Sequence, residues 1–249
     1  MNLRVIQSLV WGAFGLGCSG AAGPAPATAV PRAPARETVV LLHGMGRSRL
    51  SMLILARRLR HAGYATVNFP YSPPFHSVEV ISRRLIAFIE KKVHTPAYHL
   101  IAHSLGNVIL RNGFRYGYPP GLGRIVMLAP PNRPARLAQA LKKNPLYRGL
   151  TGESGQRLSD PVFYSKLPVP EVEFGVIAGD KGQRLTFSEP NDGVVAVAAT
   201  RLPGMQDFLV LHHTHTFLMN AEDTFQACRR FLRTGRFKAP SPEGAAAPE

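Results

Sequence analysis

The chain has 249 residues, of which 45% are hydrophobic and 18% charged, with thirty Lys and Arg against fifteen Asp and Glu for a formal charge of +15. A chain this long and this apolar buries roughly 70–75% of its unfolded surface, which excludes a disordered protein. A mean hydropathy close to zero, with no apolar run of the ~18–20 residues that a span needs, excludes a polytopic membrane protein, and two cysteines, Cys18 and Cys228, are too few for a disulfide scaffold.

The basic balance points to phosphate, either of nucleic acid or of anionic lipid. Most of the bases are arginines spread along the chain, with no zinc-ligand spacing, RNP-like aromatic motif or compact basic stripe beside them. That argues against nucleic acid. The expectation is a solvated basic surface, with an anionic membrane surface as its possible partner.

Residues 1–22 read as an export signal. Met1 to Arg4 is a short positive start, 5–17 an uncharged and mostly apolar run of h-region length, and small residues (Ser19, Gly20, Ala21, Ala22) follow it. Cleavage near Ala21 or Ala22 leaves Cys228 as the sole cysteine. In a second reading Cys18 is the lipid-modified N-terminus of a bacterial lipoprotein; Gly17 suits that, while Gly15 and Leu16 depart from the usual order. In a third the leader stays as an anchor. Each reading implies an exported protein that is periplasmic, secreted or held to the envelope. Residues 23–36 are rich in Ala and Pro and read as a tether, and 239–249 as a disordered tail.

From Glu37 the pattern alternates between strand and helix. Residues 38–42 form a short apolar run, as in a strand buried on both faces. A helix is predicted over 48–62, with Leu53, Leu55, Ala56 and Leu59 inward. Strand 64–69 and helix 78–93 follow, the latter with Ile81, Leu85, Phe88 and Ile89 on one stripe. Strand 98–102 runs directly into a helix from 105 to about 115, and strands are predicted at 125–128, 172–178 and 208–211, with a last helix over about 221–232. Strands separated by helices predict an α/β domain over 37–238, built on a mostly parallel sheet of about six strands covered on both faces. An insertion at about 131–170, rich in Pro and in Leu alternating with bases, reads as a short cap or as a helix packed on the domain edge.

The chemistry gathers at strand ends. Ala102-His103-Ser104-Leu105-Gly106 falls between a strand and a helix, where a serine nucleophile needs a tight turn flanked by small residues; the plainer reading makes Ser104 a helix N-cap. His43-Gly44-Met45-Gly46 follows the first core strand, where backbone N–H groups can face a pocket. The N–H groups of Met45 and Leu105 are the candidate oxyanion donors. His43 has no neighbouring pattern of metal ligands. Downstream, Asn191-Asp192-Gly193 places an acid in a turn, and His212, His213 and His215 follow the last strand. The order Ser, Asp, His is that of α/β-hydrolases. Asp180, directly after the fifth predicted strand, is the competing acid, and of the other two histidines one is expected in packing and one in solvent.

Together these four motifs resemble the bacterial lipase-like branch of the α/β-hydrolase family over about 38–232. The resemblance implies Ser104 as nucleophile, Asp192 as acid, His215 as base, and an exported carboxylic-ester hydrolase working through an acyl-enzyme, with no cofactor. Ala102 stands where the elbow more often has glycine. Phe217 stands where some lipases of this branch carry an acidic calcium ligand, so no metal is expected. An acyltransferase or amidase acting on envelope lipids would use the same residues. A non-catalytic lipid-surface binding protein would keep only the scaffold.

Overall fold

The computed structural model describes residues 37–133, 160–183 and 187–239. The expected leader, the tether, most of the cap and nearly all of the tail lie outside the described residues.

Six strands, β1 (Glu37–Leu42), β2 (Ala65–Asn68), β3 (Ala97–His103), β4 (Leu122–Leu128), β5 (Phe174–Gly179) and β6 (Asp207–Leu211), form one sheet in the order β2-β1-β3-β4-β5-β6. Every pairing is parallel. Parallel neighbours cannot be joined by a hairpin, so the chain must cross a face of the sheet between them. The helices that do so, α1 (Leu53–His61), α2 (Val78–Lys92) and α3 (Leu105–Gly113), are joined by α6 (Glu222–Thr234) after the last strand; two short ones, α4 (Pro161–Ser165) and α5 (Val197–Thr200), lie before β5 and before β6.

The pleat sorts the core into two layers. Val40, Leu42, Leu100, Ile125 and Met127 pack with Ile81 and Leu85 of α2 and Val108 and Ile109 of α3. Val39, Leu41, Ile101, Val126 and Leu128 pack on the other face with Leu55 and Leu59 of α1 and Phe225 and Phe231 of α6. Because both faces are covered, the central strands read as continuous apolar runs.

One inward position differs from the expectation. The segment predicted as a single helix over 48–62 begins as a 3-10 turn, Arg49–Met52, whose Ser48 Oγ accepts from the N–H of Leu50 at 3.3 Å. Met52 is then fully buried and Leu53 is about half exposed. Helical spacing explains this: Met52, Leu55, Ala56 and Leu59 fall on one i, i+3, i+4, i+7 stripe, and Leu53 is one residue out of phase.

The base of the insertion is closed by Arg111, on α3. Its buried guanidinium donates from Nη1 to Asn132 Oδ1 at 3.1 Å, from Nε to the Pro168 carbonyl at 2.8 Å and from Nη2 to the Leu167 carbonyl at 2.9 Å. Burial pushes its pKa down to about 10, so it stays cationic at neutral pH, held by carbonyl oxygens rather than by an acid.

The helix phase yields an expected outcome. In urea denaturation Met52→Ala should lose roughly 2–5 kcal/mol, the range for truncating a fully buried chain. Leu53→Ala should stay within about 0.5 kcal/mol of the parent. The reverse order would restore the sequence-based phase.

Candidate active site

The site is built at the C-terminal end of the sheet, beside the point where the strand order reverses between β1 and β3. Open α/β sheets place a crevice there. Ser104 sits between β3 and α3 with φ 53° and ψ −122°, a conformation that costs a non-glycine residue on the order of 1–3 kcal/mol. Its surroundings hold it. The Ser104 N–H donates to the Leu128 carbonyl at 3.0 Å, and the buried Asn107 Nδ2 donates to the Ser104 and Leu128 carbonyls at 3.2 and 3.0 Å. Small residues permit the approach of neighbouring backbone. A Cβ on Gly106 would lie 2.8 Å from the His43 carbonyl oxygen, and one on Gly44 would lie 3.0 Å from Ser104 Cβ.

Ser104 makes no side-chain cap bond to α3. Its Oγ instead lies 2.9 Å from His215 Nε2, and His215 Nδ1 lies 2.6 Å from Asp192 Oδ2. The carboxylate accepts the Nδ1 proton, which leaves the Nε2 lone pair to accept from the serine hydroxyl. Asp192 is shut from solvent, and its other oxygen accepts from the N–H groups of Val194 and Val195 at 2.9 and 2.7 Å. Acid and base are also joined through the backbone, from the His215 N–H to the Asp192 carbonyl at 2.9 Å.

Two buried residues that the motifs do not single out hold this arrangement. The Asn191 amide ties the acid turn to the preceding loop, donating to the carbonyls of Gln183 and Glu189 and accepting from the N–H of Gly193. The His103 Nε2–H donates to the His215 carbonyl at 3.0 Å, with the two rings 4.7 Å apart. The His103 Nδ1 then carries the lone pair and has no hydrogen-bond partner among the described residues. Burial, reinforced by the neighbouring His215, holds the His103 pKa well below the usual histidine range. Both stand inside the quoted motifs, His103 in the serine turn and Asn191 in the acid turn, but the motifs assign neither a role.

The other expected residues fall as follows. Leu105 is the first residue of α3, so its N–H has no acceptor within the helix. Neither that N–H nor the N–H of Met45 has an acceptor among the described residues. His43 is buried and stacked on Tyr71 at 4.0 Å, its ring nitrogens 2.9 Å from the Gly44 carbonyl and 3.2 Å from that of Tyr71. The Tyr71 hydroxyl donates to the His43 carbonyl, so this histidine shapes the glycine turn. Asp180 pairs with the exposed His212 at 2.9 Å and takes no part in the hydrogen-bonded chain from Ser104 through His215 to Asp192. His213 pairs with Asp223 at 2.8 Å. Neither histidine is packed into the apolar core; both sit on surface acids.

Residues 39–243 match the family model described as the alpha/beta hydrolase family. The chain belongs to that family. No curated protein matches it. Among solved structures, this alpha/beta hydrolase is similar to the mature form of the lipase BlEst2 of Bacillus licheniformis, with 17% identity over 80% of this chain and 93% of the other, at a TM-score of 0.59. A metagenomic carboxyl esterase is similar at 17% identity and TM-score 0.59, over 81% and 71% of the two chains. The RedJ thioesterase of the prodiginine pathway in Streptomyces coelicolor is similar at 17% identity and TM-score 0.50, over 85% and 89%. At these identities the likeness is one of fold.

Buried histidines give the hydrolase an acid-side weakness. His99 accepts from the Arg124 N–H at 2.8 Å through Nδ1 and faces Glu37 at 3.2 Å through Nε2. Burial lowers its pKa, as it does for His43 and His103, against opposing hydrogen bonds. A depressed histidine favours folding above its unfolded pKa of about 6.5 and loses that contribution as pH falls through the folded value, because the unfolded chain takes the proton first. The melting temperature should therefore drop between about pH 7 and pH 5. His99→Gln should flatten that drop, and a slope identical to the parent's would exclude His99 as a source.

Proposed function

We propose that the protein is an exported serine hydrolase of carboxylic esters, with Ser104 as nucleophile, His215 as general base and Asp192 as the acid that orients it. The observation that carries this reading is the unbroken chain from Ser104 Oγ to His215 Nε2 and from His215 Nδ1 to Asp192 Oδ2, at 2.9 and 2.6 Å. A serine hydroxyl is a poor nucleophile until an imidazole takes its proton, and a carboxylate must hold that imidazole in the right tautomer. The N–H groups of Met45 and Leu105, without an acceptor among the described residues, are the proposed donors to the oxyanion.

In the proposed reaction Ser104 Oγ adds to the ester carbonyl while its proton passes to His215 Nε2. The tetrahedral intermediate collapses, and His215 returns the proton to the leaving alcohol. Water then attacks the acyl-enzyme with His215 again as base, which releases the acid and restores Ser104. The strained turn lifts Ser104 above the strand end, where a carbonyl can approach. The esterase and lipase named among the fold neighbours are consistent with this reading. Export rests on the positive start and apolar run of the first 22 residues.

The test combines labelling with turnover. A fluorophosphonate probe should label the protein and fail on Ser104→Ala, and a panel of acyl esters from about two to sixteen carbons should define chain length. Asp192→Asn and His215→Ala should each lower turnover on the order of 10³–10⁴-fold with the fold intact, as for triad members. Asp180→Asn should lose less than about tenfold. No labelling of the folded protein would overturn the enzyme reading, and a larger loss in Asp180→Asn would move the acid.

A further inference from the structure

Helices α1 and α6 pack side by side beneath one face of the sheet, and their outward sides differ from the rest of the surface. Leu50, Leu53 and Ile54 are 63%, 46% and 49% exposed, three large apolar side chains within two turns. They lie at the active-site end, because the chain enters α1 from the C-terminal end of β1. Arg47 Nη2, in the same connection, donates to Thr216 Oγ1 at 2.8 Å, next to His215. Phe217, one residue further on, is 65% exposed. Isolated exposed apolar residues are ordinary, but a group of this kind at the rim of a site marks an interaction surface.

Below this apolar rim the surface is cationic. Ile54, Arg57, His61, Phe225 and Arg229 line a groove of about 460 Å³ between the two helices, and Arg230 and Arg233 flank it on α6. The nearby acids are already engaged, Glu222 with Arg58 at 3.0 Å and Asp223 with His213. Among the described residues no acid pairs with Arg57, Arg229, Arg230 or Arg233. Arg229 and Arg233 stand one turn apart, where like charges repel. Among the described residues this surface thus concentrates positive charge that no acid neutralises.

We propose that this face docks on an anionic phospholipid bilayer. Leu50, Leu53, Ile54 and Phe217 enter the acyl boundary, Arg57, Arg229, Arg230 and Arg233 meet the phosphates, and the site receives acyl esters held in that surface. The spacing suits this. Ile54 and Arg57 are about one turn apart along α1, roughly 5 Å, and Arg229 to Arg233 lie roughly 10–16 Å beyond Glu222 along α6, so the two helices lie along the bilayer, where interfacial helices sink their apolar face ~5–10 Å past the headgroups. A soluble polyanion such as nucleic acid would engage the arginines and leave the apolar rim in water, so the joint presence of both favours lipid. The substrate clause rests on the proposed ester hydrolysis; the docking itself does not.

The experiment sediments the full chain with vesicles of phosphatidylcholine, pure or with about a third phosphatidylglycerol. The leader is common to all variants, so the comparison is between them. The parent should bind the anionic vesicles at least about tenfold more tightly than the neutral ones, with affinity falling as salt rises. Joint Arg57→Gln, Arg229→Gln and Arg230→Gln should weaken binding on the order of a hundredfold, from about fivefold per arginine near a charged surface. Joint Leu50→Ser, Leu53→Ser and Ile54→Ser should weaken it at least about tenfold. Both variants should turn over a short soluble ester within about twofold of the parent, which also reports their fold, and should lose turnover of a vesicle-borne ester. Equal binding of the parent to both vesicles would overturn the proposal. So would loss in the arginine variant alone, matched by loss of binding to a DNA duplex, which would make the face a polyanion site. Docking as expected without turnover of any ester or fluorophosphonate labelling would leave the docking standing and remove the hydrolase reading.

Discussion

The turn at Ser104 is the constraint from which the site follows. It brings the first turn of α3 against the last residues of β1, so closely that no Cβ fits at Gly106 beside the His43 carbonyl or at Gly44 beside Ser104. That approach holds Ser104 at a positive φ that its own chemistry disfavours. It also sets the N–H of Leu105 and the glycine turn around Met45 on either side of the serine. The strain is confined because the neighbours over-determine it: β4 receives the Ser104 N–H, and Asn107 bridges the same two carbonyls from inside α3.

The second half of the site is assembled independently. Asp192 and His215 are joined by a backbone hydrogen bond as well as by their side chains, and the acid turn supplies two N–H groups to the carboxylate. Asn191 ties that turn to the loop behind it. The imidazole is therefore oriented by the loops beyond β5 and β6 before any contact with Ser104. His103 links the halves, reaching from the end of β3 to the His215 carbonyl.

Much of this architecture is readable from residues alone, for definite reasons. A parallel sheet covered on both faces turns strands into unbroken apolar runs, and β1, β3, β4 and β5 announce themselves that way. Ser104, Asp192 and His215 are singled out by motif, order and placement, and they are the three side chains the structure joins. The inward place expected for Leu53 is one residue out of phase, since Met52 shares the helical stripe of Leu55, Ala56 and Leu59. What stays hidden depends on tertiary neighbours. Asn107 reaches Leu128 on β4, and Arg111 reaches Asn132, Leu167 and Pro168, partners far along the chain, while Asn191 bonds locally to the loop before it. The arginine face is illegible for the same reason: α1 and α6 are far apart in the chain, and neither alone carries a compact basic stripe.

Arg111 has a consequence of its own. One guanidinium grips Asn132 on the way into the insertion and the carbonyls of Leu167 and Pro168 on the way out. Both ends of the segment are thereby anchored to α3, which is itself fixed by the core. Loop closure depends only weakly on length once the ends are held together, so the clasp fixes where the segment leaves and rejoins the domain whatever its length. Phe163 and Tyr164 of α4 then carry the returning chain into the core layer shared with α2 and α3. A buried guanidinium thus sets both the exit and the return of the segment.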